Sequence, residues 1–129
     1  MIVRKLDDIM GTKGEVHGDK WHSMRLMHAE DGLGVTLTDS ILEAGFEMVL
    51  WQKTHLEACY CLEGLGTVEE LDTGKVHDIR PGTLYAMNLH DRHRIRITER
   101  MRLVCTFSPA LTGYETHDED GSLALGGSA

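Results

Sequence analysis

The sequence predicts an all-β protein, a small sandwich or barrel formed by a chain of 129 residues. Short apolar segments follow one another at roughly 8 to 12 residues, the interval expected between strands of such folds. The 14 glycines fall between those segments while prolines number only two, so turns punctuate the chain. Helical periodicity is scarcely visible.

In chain order, Asp7–Met10 reads as a single helical turn. Strands are expected at Met24–Met27, Gly34–Thr38 and Phe46–Trp51, each an apolar or β-branched run. They continue at Glu57–Leu62, Thr67–Leu71, Lys75–Ile79, Thr83–Met87, His93–Ile97 and Met101–Phe107. Asp72–Lys75, with its Thr-Gly centre, is a hairpin turn, and Glu63–Gly66 reads as a second tight reversal. The charged stretch His117–Gly121 is a loop, either an ordered lid or simply solvated, and residues 122–129 are expected to form a flexible C-terminal tail. The length suits one domain, assigned to 1–121, and hence one site.

Twenty-one acidic residues against 13 basic ones, a formal charge of -8, repel polyphosphate, and no basic run offsets them. Nucleic acid is therefore not an expected partner. No apolar run approaches membrane-spanning length, and the opening MIVRKLDDI mixes charge with hydrophobes. These features predict a soluble, intracellular protein, expected in the cytoplasm. Three cysteines, Cys59, Cys61 and Cys105, are an odd number, and the first two are badly placed to bridge one another; they read as small buried hydrophobes.

Alternate residues of a strand face opposite sides, so apolar parity identifies polar residues that share the interior. In His93–Ile97 the histidine shares its face with Ile95 and Ile97, with Arg94 and Arg96 on the other. Met101, Leu103, Cys105 and Phe107 form another inward set, with Arg102 outward. His55, Glu57, Cys59 and Cys61 share one face, where a carboxylate must be paired, protonated or bound to a cation. Tyr85 accompanies Thr83 and Met87, a mixed set that leaves its direction open. Together His55, Glu57, Tyr85 and His93 offer O and N donors suited to a borderline divalent cation, without choosing between iron, zinc and manganese.

Two blocks, Gly45–Gly66 with His55, Glu57 and Glu63, and Gly74–His93 with Pro81-Gly82, resemble the two cupin motifs. More specifically, MIVR at the start, Ala29–Gly32, His55–Ala58, Thr73–His77, Arg80–Gly82, His90–His93, Arg102–Cys105, Leu111–Gly113 and Glu115–Gly121 run in the order found in the ectoine synthase family, which the chain resembles across nearly its whole length.

That resemblance implies a small cupin (jelly-roll) barrel, usually a homodimer. It also implies a hydro-lyase that cyclises N-γ-acetyl-L-2,4-diaminobutyrate to the compatible solute ectoine with loss of water. The implied cofactor is Fe(2+), or another divalent metal, on Glu57, Tyr85 and His93. Substrate-binding positions map to Trp21, Ser23, Arg25, Ser40, Cys105 and Phe107, and catalytic ones to Tyr85, Glu115 and His117. In the implied reaction the free α-amine attacks the acetamide carbonyl and the adduct loses water, with Glu115 and His117 as candidate proton carriers. Departures from the family pattern fall at Ser40, Gln52, Thr54, Ser108–Ala110 and Gly34–Ser40. A relative acting on another acylated diamino acid by cyclisation or hydrolysis, and a metal-free solute-binding cupin, are the alternative readings.

Overall fold

A computed structural model describes residues 1–113, 115–117 and 123–125, with 116, 117 and 123–125 as backbone positions. Besides a short helix α1 (Leu6–Ile9) and one 3-10 turn (Ala29–Asp31), the regular elements among the described residues are strands. These are β1 (Glu15–Gly18), β2 (Trp21–Arg25), β3 (Thr36–Leu42), β4 (Glu47–Leu50), β5 (Leu56–Glu70), β6 (Lys75–Ile79), β7 (Leu84–Met87), β8 (His93–Ser108), β9 (Glu115–His117) and β10 (Leu123–Leu125).

The central feature is the long antiparallel pair β5 and β8, in register from Leu56↔Ser108 to Glu70↔His93. At one end β3 joins the free edge of β8 and β7 that of β5. At the other end β4 takes the edge of β8 and β6 that of β5. The eight-stranded sheet is completed by β1 and β2 beyond β3, while β9 and β10 form a separate ribbon.

Parity explains the core. His93, Ile95 and Ile97 are buried, as are Met101, Leu103, Cys105 and Phe107. Arg102 points outward and makes a two-point ion pair with Asp39 at 3.0 and 2.6 Å. The inward set of β5 is odd-numbered through Cys59 and Cys61 and even-numbered at Gly66 and Val68. That switch coincides with register shifts between Cys61 and Gly66. The expected reversal at Glu63–Gly66 is thus a correction: the glycines there accommodate bulges within one continuous strand, which adds a residue and keeps both halves facing the interior. Gly64 sits at φ 96°, and a Cβ there would lie 2.3 Å from the carbonyl oxygen of Arg100.

Other boundaries differ as well. β2 starts at Trp21, not Met24, paired in a hairpin with β1, whose polar sequence gave no strand signal. β3 runs to Leu42 and so includes Ser40. Leu123–Leu125, placed in the tail by its sequence, pairs antiparallel with β9. Residues 114, 118–122 and 126–129 lie outside the described residues, and with them most of the stretch expected to be a loop or lid. The hairpin at Asp72–Lys75 and the helical turn near Asp7–Met10 are found as expected.

Replacing Gly64 by alanine forces a left-handed φ and a backbone clash on the β5–β8 ribbon. Denaturant unfolding should show a loss of about 2 kcal/mol or more, with the folded state otherwise cooperative.

Candidate active site and metal centre

The sheet curls around a cavity of about 330 Å³. A single cross-strand row defines its long wall, because register places Arg25 beside Thr38, Thr38 beside Cys105, Cys105 beside Cys59, and Cys59 beside Tyr85. Arg25 and Tyr85 are therefore four strand spacings apart, each about 4.8 Å along the curved sheet. Ser23, Ser40 and Leu103 make the next row, then Trp21 and Leu42 beyond it. On the other side of the Arg25 to Tyr85 row, Phe107 is paired with Glu57. The second wall comes from β4 and the start of β8, where Met48 pairs with Ile95 and Leu50 with His93.

At the Arg25 end, burial lowers the guanidinium pKa and the Glu115 carboxylate opposes that shift. Arg25 Nη2 donates to the backbone carbonyl of Glu115 at 3.2 Å, whereas Nη1 is buried without a partner among the described residues. A buried donor left unpaired is costly, so Nη1 suits an anionic ligand. Burial opposes ionisation of Glu115, yet donors from the residues just ahead of β9 prevail and hold its pKa below the ordinary value. The Thr112 N–H donates at 2.8 Å, the Thr112 hydroxyl at 3.1 Å and the Gly113 N–H at 3.0 Å. The hydroxyls of Ser40 and Ser23 meet at 2.9 Å on the wall between the ends.

At the other end, burial drives Glu57 up to about 7, with a hydrogen bond from Cys59 opposing. Burial, with Cys59, Cys105 and Glu57 nearby, pushes the Tyr85 phenol well above its ordinary value, and Cys59 also rises, chiefly through burial. His93 is pushed down by burial and stays neutral; its Nδ1–H donates to the Asp91 carbonyl at 3.0 Å, which leaves Nε2 as the lone-pair nitrogen. The rings of Tyr85 and His93 lie edge to face with centroids 6.5 Å apart. Donor atoms of Glu57, Cys59 and Cys105 all lie within 4.8 Å of one another. This end therefore holds a desolvated acid, a phenol, two thiols and an imidazole fixed in the tautomer typical of metal ligands, with the cavity's arginine at the far end of the row. A divalent cation fits that chemistry, since its charge offsets the cost of burying the anionic forms.

Trp21, Ser23, Arg25, Ser40, Glu57, Tyr85, His93, Cys105, Phe107 and Glu115 all line this one cavity. The side chain of His117 lies outside the described residues. His55 does not join them: it precedes β5, and its Nδ1 is engaged by the Thr54 hydroxyl at 2.9 Å. Thr38, which nothing in the sequence singled out, and Gln52, singled out only as a departure, prove to be buried in the cavity wall.

Residues 1–126 match the profile of the family described as ectoine synthase. The chain belongs to the ectoine synthase family. The L-ectoine synthase of Desulfosudis oleivorans is 54% identical over 97% of this chain and 98% of that protein. The crystal structure of ectoine synthase from P. lautus superposes with a TM-score of 0.87 at 42% identity, covering 100% of this chain and 94% of that one. An RmlC-like cupin from Shewanella frigidimarina, at 21% identity and a TM-score of 0.61 over 74% of this chain and 82% of that one, shares the fold. Ectoine synthases of this family and the chain thus share the cupin barrel expected from the sequence.

Glu57 generates a pH test. Its folded pKa of about 7 lies above the ordinary carboxylate value of 4.5, so its favourable contribution is full below the unfolded pKa and is lost as pH rises through about 7. Metal-stripped protein should lose on the order of 3 kcal/mol between pH 4.5 and 8 through this group. Glu57→Gln should flatten that part of the profile, as read by denaturant titrations at each pH.

Proposed function

We propose that the protein is an L-ectoine synthase, a hydro-lyase that closes N-γ-acetyl-L-2,4-diaminobutyrate into ectoine with loss of water. The observation that carries the reading is one cavity with an unpaired buried Arg25 donor at one end of a strand row and Glu57, Tyr85 and His93 towards the other. In this reading Arg25 Nη1 takes the substrate carboxylate, and Trp21, Leu103 and Phe107 pack against its carbon chain and exclude water. The cavity volume suits a small metabolite folded back on itself, so that amine and amide carbon meet in a near-attack arrangement.

Glu57, Tyr85 and His93 would hold a divalent metal, proposed as iron(II), which when bound supplies Lewis acidity for the acetamide carbonyl. Glu115, held ionised by Thr112 and Gly113, is a weak base and serves in this account as the fixed anion near Arg25 that orients the α-ammonium. His117, two positions along β9, carries the imidazole suited to take a proton from the α-amine and return it to the departing oxygen.

The proposal extends to a homodimer in the cytoplasm, with ectoine accumulating under osmotic stress. Leu56, Tyr60, Leu62, Leu65 and Leu84 are exposed on β5 and β7, and this apolar face supports pairing with a second copy of the chain. Light scattering should report twice the monomer mass.

Incubation of iron-loaded protein with N-γ-acetyl-L-2,4-diaminobutyrate should yield ectoine, identified by NMR. Release of acetate and diaminobutyrate without ring closure would refute the cyclase reading. Tyr85→Phe keeps the ring and removes one donor atom; iron content and turnover should both fall at least tenfold, with the thermal midpoint little changed. Retained iron and rate would remove Tyr85 from the metal set.

A further inference from the structure

We propose that Glu57, Cys59 and Cys105 form a second, sulfur-rich donor set on the cavity wall, adjoining the first and sharing Glu57 with it, fitted to a thiophilic divalent metal of the zinc class. Glu57 and Cys59 are alternate residues of β5 and face the cavity together. Cys105 is the register partner of Cys59 on β8, so strand pairing itself brings the two thiols side by side. The three donor atoms already lie within 4.8 Å of one another. Tetrahedral zinc with Zn–S of about 2.3 Å and Zn–O of about 2.1 Å needs donors separated by roughly 3.5 to 3.8 Å. Small side-chain rotations on a rigid pair of central strands close that difference, and a fourth position stays open to the cavity.

Donor softness separates this set from the one assigned to the proposed reaction. Glu57, Tyr85 and His93 present oxygen and nitrogen; Glu57, Cys59 and Cys105 present two thiolates and one carboxylate, which select zinc or cadmium over iron(II). Glu57 is common to both. When the soft cation binds, each thiol gives its proton to solvent as its metal–sulfur bond forms, Glu57 gives up its proton where the carboxyl is protonated, and no electron is transferred. The proposal stands on these three donors and does not require that the protein make ectoine.

The test is cobalt(II) and zinc(II) binding to the full chain after metal removal. Cobalt should give an intense thiolate-to-metal charge-transfer band, and X-ray absorption of the zinc-loaded protein should show two sulfur neighbours near 2.3 Å. Cys59→Ser and Cys105→Ser should each abolish the band and weaken zinc binding by more than about tenfold. Cys61→Ser, equally buried but outside the donor set, should keep it, which controls for a hydroxyl in the barrel wall. Tyr85→Phe should also keep it while losing iron. Cobalt bound without the band, zinc with only oxygen and nitrogen neighbours, or a band that vanishes in Tyr85→Phe would each overturn the proposal. Failure of ring closure with the sulfur signature intact would count against the proposed activity and leave this site standing.

Discussion

The register between β5 and β8 is the constraint on which the rest depends. These strands place Glu57, Cys59, His93, Cys105 and Phe107, so one pairing sets the positions of half the functional groups. A slip of one residue would turn the inward set of either strand to solvent, exposing core and acids together. The bulges between Cys61 and Gly66 let β5 change inward parity while its partner does not, and both halves of the ribbon close on the same cavity. Once that ribbon is fixed, β3 and β7 at one end and β4 and β6 at the other have defined edges to join, and the barrel follows from edge pairing.

The interior thereby acquires two poles. Arg25 is desolvated and only partly hydrogen-bonded, a cationic end awaiting an anion. Three and four strands away, Glu57 and Tyr85 are also desolvated, with no cation beside them among the described residues, an end where ionisation is opposed until something positive enters. Each pole is destabilising on its own, and each is relieved by a ligand of the opposite charge, which is the usual physical signature of a site built for binding. Flanking the row that joins them, Leu42, Leu103, Trp21 and Phe107 keep the dielectric low, so both ends act strongly on whatever spans them.

Much of this was legible in the sequence because strands repeat with period two. HRIRI placed His93 inward and MRLVCTF placed Cys105 and Phe107, and the structure buries all three. Tyr85 was not legible, since Thr83 and Met87 gave no consistent face; its direction comes from pairing with Cys59, which local sequence does not encode. His55 had the right parity yet lies before the strand begins, where parity no longer governs. Gly64 and Gly66 read as a reversal because a turn and a bulge demand the same residue. The partners of Glu115 were not legible for another reason: its carboxylate, at the start of β9, accepts from Thr112 and Gly113 just ahead of the strand, a local contact that no periodicity predicts.

The central claim is that the two poles bind opposite ends of one small molecule. A crystal structure of the protein with ectoine bound tests it most directly. The account predicts the carboxylate within hydrogen-bonding distance of Arg25 Nη1, with the amidine carbon turned towards Glu57, Tyr85 and His93. Ectoine bound in the reverse direction, or outside the cavity with Arg25 Nη1 still unpaired, would contradict it.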